Sequence, residues 1–137
     1  MRSALFCISL FCFYSCGQSI WFEKDYYERI SGIKFPANYE ILETFDNGEF
    51  LTATVFRIDS IELLNFIKTN HFDSLQNLRD AQLLSERYFT NNIPHFTSTK
   101  NLFIAWKTED KVDYKYIVDL NTNKLWAEIR YPDWGGT

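Results

Sequence analysis

Apolar side chains recur along the chain with two different periods, and each period predicts a different kind of element. A helical period predicts a first helix over residues 20–31, and Gly32 suits the position just after a helix C-terminus. The apolar residues of this helix recur at the spacing of one helical face and are Phe22, Tyr26, Ile30 and Ile33. This segment therefore predicts an amphipathic helix that packs against the rest of the protein.

A second helix is predicted to begin at Asp59 and to end at Asn70. The Asp59 side chain suits an N-cap, and Glu62 stands at the capping-box position three residues later. Between them a broad apolar face comprises Ile61, Leu63, Leu64, Phe66 and Ile67. A less regular apolar period predicts a further helical stretch over residues 73–88, and residues 89–100 are predicted to form a loop.

Residues 39–58 are predicted to form a β-hairpin that turns at Asp46-Asn47-Gly48. Asn-Gly between two β-rich runs is the strongest short-range signal for a hairpin. A three-residue turn with Gly48 in the left-handed conformation avoids placing Asp46 opposite Glu49, which would be a like-charge pair. This register would gather on one face Tyr39, Ile41, Leu51, Ala53 and Val55.

The last third of the chain predicts a three-stranded meander over residues 102–108, 112–119 and 125–131. Apolar and polar positions alternate along the middle strand with the period of two that a half-buried strand requires. The side chains predicted to point inward are Val112, Tyr114, Tyr116 and Val118, and those predicted to point outward are Asp113, Lys115 and Asp119.

This order of elements predicts the α+β class: an antiparallel β-sheet of about five strands, a hairpin plus a three-stranded meander, with helices packed on one face. No repeat or low-complexity tract divides the chain, so residues 22–137 are predicted to form a single domain.

The first sixteen residues have the pattern of an export signal. Arg2 gives a positive start, residues 4–14 are uncharged and mostly apolar, and Ser15 is a small residue before Cys16. The apolar run is too short to span a bilayer as a helix, which takes about 20 residues. The leader therefore predicts export from the cytoplasm.

The end of the leader, Phe13-Tyr14-Ser15-Cys16, resembles a bacterial lipoprotein signal, in which signal peptidase II cuts before a cysteine that carries the lipids. The resemblance covers the leader alone. It implies that residues 1–15 are a cleaved signal peptide, that Cys16 is lipidated, and that residues 16–21 form a short tether. The protein would then be anchored in the bacterial cell envelope to a membrane facing outside the cytoplasm, the outer membrane where one is present. Ordinary cleavage after Gly17 is the alternative and would give a soluble secreted or periplasmic protein.

Composition narrows the chemistry that the domain can perform. All three cysteines, Cys7, Cys12 and Cys16, fall in the leader, so the domain has neither a disulfide framework nor a cysteine nucleophile. A formal net charge of −4 makes the chain a poor binder of nucleic acid. No phosphate-loop, dinucleotide-binding, nucleophile-elbow or zinc-protease motif is present, so we predict no cofactor.

Few residue combinations suggest a catalytic or metal site. His71 and His95 both fall in predicted loops and are interpreted as solvated, with a weak metal site beside Asp73 as the alternative. The carboxylate pairs Asp46 with Glu49 and Asp110 with Asp113 fall at turns, where nothing would separate their pKa values as acid–base catalysis requires. We therefore predict no catalytic and no metal-binding residues.

Aromatic residues give the better indication of a binding function. Trp126 is predicted to share a strand face with Glu128 and Arg130. If that face is open to solvent, Ile117, Trp126 and the Arg130 stem form an amphipathic patch suited to a protein or glycan partner. The alternatives are that helices cover the face or that the turn register places Trp126 inside. Trp134, in a terminal turn, is a further candidate for this patch.

Together these observations predict a small membrane-anchored envelope lipoprotein that acts as a binding or interaction module. Two alternatives remain open from the sequence. One is an inhibitor or immunity-type protein with one dedicated protein partner, and the other is a carboxylate-dependent envelope hydrolase.

Overall fold

The computed structural model describes residues 22–109 and 112–130, which form an antiparallel sheet of six strands and two α-helices. The strand order is β1-β2-β6-β5-β4-β3. The predicted α+β class is therefore confirmed, with one short strand more than expected. In chain order the elements are α1 (Lys24–Ser31), β1 (Glu40–Asp46), β2 (Leu51–Arg57), α2 (Ser60–Thr69), β3 (Asp73–Ser74), β4 (Leu102–Glu109), β5 (Val112–Asp119) and β6 (Lys124–Arg130).

One side of the sheet, here called the helix face, packs against α1 and α2. Phe56 of β2, Leu125 of β6 and Val118 of β5 lie side by side across the strands and point to this face. Tyr27 of α1 is buried against it, and its hydroxyl lies 3.2 Å from the hydroxyls of both Thr52 and Thr54. From α2 the core receives Leu63, Phe66 and Ile67.

The other side of the sheet, here called the strap face, is covered by irregular chain. Val55, Trp126 and Ile117 lie side by side across β2, β6 and β5 and are buried. Residues 75–96, which we call the strap, cross over them. The strap contains two short 3₁₀ helices, Leu78–Ala81 and Glu86–Tyr88.

The predicted helix over residues 73–88 is wrong. Residues Asp73–Ser74 form β3, and the residues that follow are buried at an irregular spacing. The buried positions are Leu75, Ala81, Leu83, Ser85 and Phe89. An α-helix would turn several of these side chains away from the sheet, whereas a strap that crosses the strands can place each of them over it.

The predicted hairpin and its left-handed glycine are confirmed, but the turn lies later than predicted: Asp46 still pairs with Thr52, so the loop comprises residues 48–50 instead of 46–48. Gly48 has φ 70°, and Asn47 N–H donates to the carbonyl of Leu51 at 3.1 Å, which leaves three residues in the loop. The predicted grouping of side chains on one face is wrong. Tyr39 and Ile41 pack on the helix face, whereas Ala53 and Val55 lie on the strap face. The register shifts between Ile41 and Glu43, and this bulge redirects the start of β1.

Both helices end as the sequence predicts, but α1 begins later than predicted, because Phe22 and Glu23 precede it and are not helical. Gly32 follows α1 with φ 74°, and its N–H donates to the carbonyl of Glu28 at 2.9 Å. At the start of α2, Asp59 Oδ1 accepts from Ile61 N–H at 2.9 Å. The predicted capping box is incomplete, because Glu62 Oε1 accepts from Asn38 Nδ2 at 2.8 Å instead of from the N-cap backbone. In residues 22–109 and 112–130, no helix is long and apolar enough to cross a membrane.

The meander β4-β5-β6 is confirmed, and the predicted alternation along β5 holds. Tyr116 and Val118 point to the helix face and are buried. Tyr114 points the same way and is half-buried, and burial raises the pKa of its phenol. The strap, however, covers a face that the alternation alone would leave to solvent.

Candidate functional site

The patch predicted around Trp126 is not a surface in this structure. The exposed fraction of Trp126 is 3%, and Ile117 is fully buried. Trp126 Nε1 donates to the carbonyl of Asn92 in the strap at 2.8 Å, and the Phe96 ring meets the indole edge-on. The expectation of an open face is therefore wrong, and the strap rather than a helix covers it.

The remaining residues of the predicted site lie elsewhere. Arg130 is half-buried and donates to Asp113 of β5 at 2.6 Å. Trp134 lies outside the described residues, as do the predicted signal peptide and Cys16, the predicted lipidation site. The structure therefore brings together Ile117 and Trp126 in the core and leaves Arg130 at the end of the central strand β6.

A buried carboxylate holds the middle of the strap. Glu128 of β6 has an exposed fraction of 3%, and its Oε2 accepts from both the N–H and the hydroxyl of Ser85, each at 2.8 Å. Burial raises the pKa of Glu128, although the Ser85 bonds and the charges of Arg130 and Lys115 act in the opposite direction. This pair fixes the strap over the centre of the sheet.

A second carboxylate holds the end of the strap. Glu43 of β1 accepts from the backbone N–H groups of Thr90, Asn91 and Asn92, and also from the Asn92 side chain. Burial alone would raise the pKa of Glu43, but these hydrogen bonds outweigh burial and leave the pKa below its ordinary value. Consecutive N–H groups around one carboxylate restrict the backbone of this part of the strap.

Two lysines of the sheet complete the attachment. Lys115 Nζ donates to the carbonyl of Gln82 at 3.0 Å, and Lys124 Nζ donates to Asn92 Oδ1 at 3.0 Å. The strap is thus bound to β1, β5 and β6 at three places along its length, Gln82, Ser85 and residues 90–92. Although the strap is mostly irregular chain, its hydrogen bonds to the sheet hold it in place.

The outward side of the strap exposes large apolar side chains, which we call the strap surface: Leu84, Tyr88 and Ile93. Half of the Leu84 surface is exposed. Tyr88 stacks in parallel on Phe45 of β1, with 4.1 Å between ring centroids, and the Arg87 guanidinium lies 4.7 Å from the Tyr88 ring centroid. Exposed apolar and aromatic groups on a well-anchored loop are characteristic of partner-binding surfaces.

A cleft of about 290 Å³ opens beside this surface. Its lining comprises Leu78, Arg79, Ala81, Gln82, Glu86, Pro94, His95 and Phe96. A second cleft of about 240 Å³ lies beside α2, on the other side of the sheet. Ligand sites of drug-sized molecules occupy about 300–1,000 Å³. The strap cleft therefore lies at the lower end of this range.

The candidate metal and acid–base residues are dispersed. His71 and His95 are both exposed, and His71 has φ 56° just after α2. In the part of the chain that the structure describes, no three His, Cys, Asp or Glu residues lie close enough to hold a metal ion. Asp46 accepts from Gly48 N–H at 2.6 Å, and Asp113 pairs with Arg130.

Sequence reasoning missed the residues that hold the strap. Glu128 alternates with apolar residues along β6, and such a position indicates a solvated side chain. Ser85 and Asn92 have no neighbouring motif. In the sequence, the one signal that something covers this side of the sheet was Trp126 itself, because a tryptophan is unusual on an open strand face.

No protein-family model matches the chain, and no curated protein and no solved structure is significantly similar to it.

Proposed function

We propose that this chain is a small bacterial envelope lipoprotein, anchored through Cys16, that acts as a binding module for a protein or glycan partner. The leader supports the anchor, and the strap surface supports the binding. The partner meets the strap surface and inserts a polar group into the adjoining cleft.

The observation that carries the proposal is the combination of exposure and rigidity in the strap. Leu84, Tyr88 and Ile93 are exposed, yet the backbone beneath them is held by Glu43 and Glu128. A surface that is already ordered loses little conformational entropy on binding, so its apolar contacts contribute more to the affinity. Tyr88 is also supported by its stack on Phe45, which limits the rotamers it must give up.

The cleft adds a polar component to this surface. Arg79, Glu86 and His95 line it together with the apolar Leu78 and Phe96. Mixed charge beside an apolar surface suits a partner that offers both a hydrophobic group and hydrogen-bonding groups. A protein loop or a glycan fits this description, whereas a nucleic acid would require a basic surface.

The test is cross-linking and recovery of the full-length protein from bacterial envelopes. Leu84→Asp should abolish recovery of the partner, because it places a charge on the strap surface. Ile61→Asp is the matched control: Ile61 is 72% exposed on α2, at the opposite side of the sheet. The proposal is wrong if both variants recover the partner as well as wild type, or if Ile61→Asp alone loses it.

The identity of the recovered partner separates the alternatives. One stoichiometric protein would identify an inhibitor or immunity-type protein, and recovery with cell-wall glycan fragments would identify a glycan-binding module. Chemical change of the bound partner by wild type would instead favour the hydrolase.

The anchor is tested by Cys16→Ser. Wild-type protein should partition into detergent and carry the mass of its acyl groups, since stable anchoring takes more than one lipid chain. The variant should remain as unprocessed precursor. A wild-type N-terminus at Gln18 without lipid mass would show secretion instead of anchoring.

A further inference from the structure

The outer edge of β4 is only partly covered. β3 pairs with β4 at two positions, Asp73 with Ile104 and Ser74 with Phe103. Within residues 22–109 and 112–130, no strand pairs with the outer edge of residues 105–109. Trp106 lies in this open stretch, and 61% of its surface is exposed.

The direction of the free backbone groups follows from one hydrogen bond. The carbonyl of Leu102 accepts from Leu75 N–H at 2.9 Å on the outer side of β4. Backbone groups alternate sides along a strand, so the N–H and carbonyl groups of Trp106 and Thr108 also point outward. The open edge therefore offers two residues that can each exchange a pair of hydrogen bonds with an added strand.

We propose that this edge pairs with β4 of a second copy of the chain, antiparallel, with the two-fold axis at Thr108. In a symmetric pair, the outward-pointing residues Trp106 and Thr108 must face outward-pointing residues of the second copy. This leaves three registers, with the two-fold axis at Trp106, Lys107 or Thr108. An axis at Trp106 would bring the second copy against Ile104, where β3 already pairs. An axis at Lys107 would place two lysines directly opposite each other, which is unfavourable. An axis at Thr108 places Lys107 opposite Glu109 of the second copy, twice by symmetry.

With the axis at Thr108, the positive and negative charges of this edge therefore face opposite charges on the second copy. Lys107 and Glu109 are both exposed, and they form an ion pair of 3.0 Å within the chain. In the dimer each lysine lies between two carboxylates, its own and that of the second copy. Trp106 lies diagonally across from Thr108 of the second copy, within the reach of an aromatic side chain. The few residues involved make this a weak interface, at the small end of specific contacts. It is separate from the strap surface, so either proposal can fail alone.

Cysteine cross-linking of the full-length protein tests the position of the axis. Opposite residues of a hydrogen-bonded antiparallel pair have Cα atoms about 5.5 Å apart, which a disulfide can bridge. Thr108→Cys should therefore give a covalent dimer under mild oxidation, beyond that of the parent chain with its leader cysteines. Thr69→Cys, on the exposed side of α2, is the control. Faster cross-linking of Lys107→Cys, or a Thr108→Cys yield no higher than the control, overturns the proposal, as does capture of a different protein.

Charge reversal tests the pairing itself. Lys107→Glu and Glu109→Lys should each weaken the dimer about tenfold, because each replaces two attractive pairs with two repulsive ones. The double variant restores opposite charges and should recover the wild-type Kd. Sedimentation equilibrium measures all four proteins, and far-UV circular dichroism checks the fold. A wild-type monomer at every concentration, or a double variant as weak as the single ones, overturns the proposal.

Discussion

The hydrogen bonds between Ser85 and Glu128 should determine how firmly the strap is held. Ser85→Ala removes the hydroxyl donor and leaves the backbone N–H in place. The substitution is small, and Ser85 is fully buried, so water cannot replace the lost donor without opening the strap. The variant therefore isolates one hydrogen bond to a buried carboxylate.

The magnitude follows from the charge of the acceptor. A hydrogen bond to a charged group contributes about 1.5–3 kcal/mol to stability. We expect Ser85→Ala to lower the free energy of unfolding by this amount at a pH above the raised folded-state pKa of Glu128, where the carboxylate is charged. At about 4 °C per kcal/mol for a domain of this size, Tm should fall by about 6–12 °C.

Urea unfolding over a range of pH measures the loss, and hydrogen exchange of the strap amides locates it. Ser60→Ala is the matched control, because the Ser60 hydroxyl donates to Asn123 at an exposed site. The control should change stability by less than about 0.5 kcal/mol. If Ser85→Ala is no more destabilising than Ser60→Ala, Glu128 does not hold the strap in the way described. If exchange quickens equally throughout the sheet, the strap does not open as a separate unit.

Three further outcomes are expected. The folded state holds the Glu128 proton more tightly than the unfolded chain, because burial raises the pKa of Glu128. The stabilisation from this group is therefore fully present below pH 4.5 and is lost as pH rises through the raised folded-state pKa. In urea titrations Glu128→Gln should gain stability relative to wild type over that pH range, and a constant difference between the two proteins would contradict this argument. Gly48→Val should cost about 1 kcal/mol or more in thermal unfolding, purely from backbone strain, since a Cβ there would contact nothing within 4 Å; an unchanged Tm would count against this. His71→Ala with His95→Ala should leave metal content and stability nearly unchanged in elemental analysis and melting curves, and a stoichiometric zinc or iron lost in the double variant would revive a metal site.

Sequence periodicity predicted the elements whose determinants are local. The strand alternation around Tyr116, the Asp59 cap and the left-handed Gly48 each depend on residues within a few positions of one another. Their outcomes followed from steric rules that hold in any fold.

The missed features depend on residues that are distant in the sequence. The pattern of apolar and polar residues in β1 does not predict the bulge at Leu42, and this bulge changes which side chains share a face. Trp126 is buried because Asn92, more than thirty residues earlier, returns over it. Glu128 resembles a solvated strand residue until its partner Ser85 is known. A candidate site that depends on contacts between residues distant in the sequence cannot be predicted from the spacing of residue types along the chain.

The order of strands also has a consequence for how the chain folds. β2 pairs with β6, so that Val55 lies beside Trp126 about half the chain length away. The β1-β2 hairpin thus lacks this neighbour until residues 124–130 have been synthesised, and such non-local pairing slows folding. During that interval β2, which has buried residues on both sides in the finished sheet, is open to other chains. Misassembly should therefore begin at residues 51–57, and a factor that shields this strand until β6 arrives should raise the yield of folded protein.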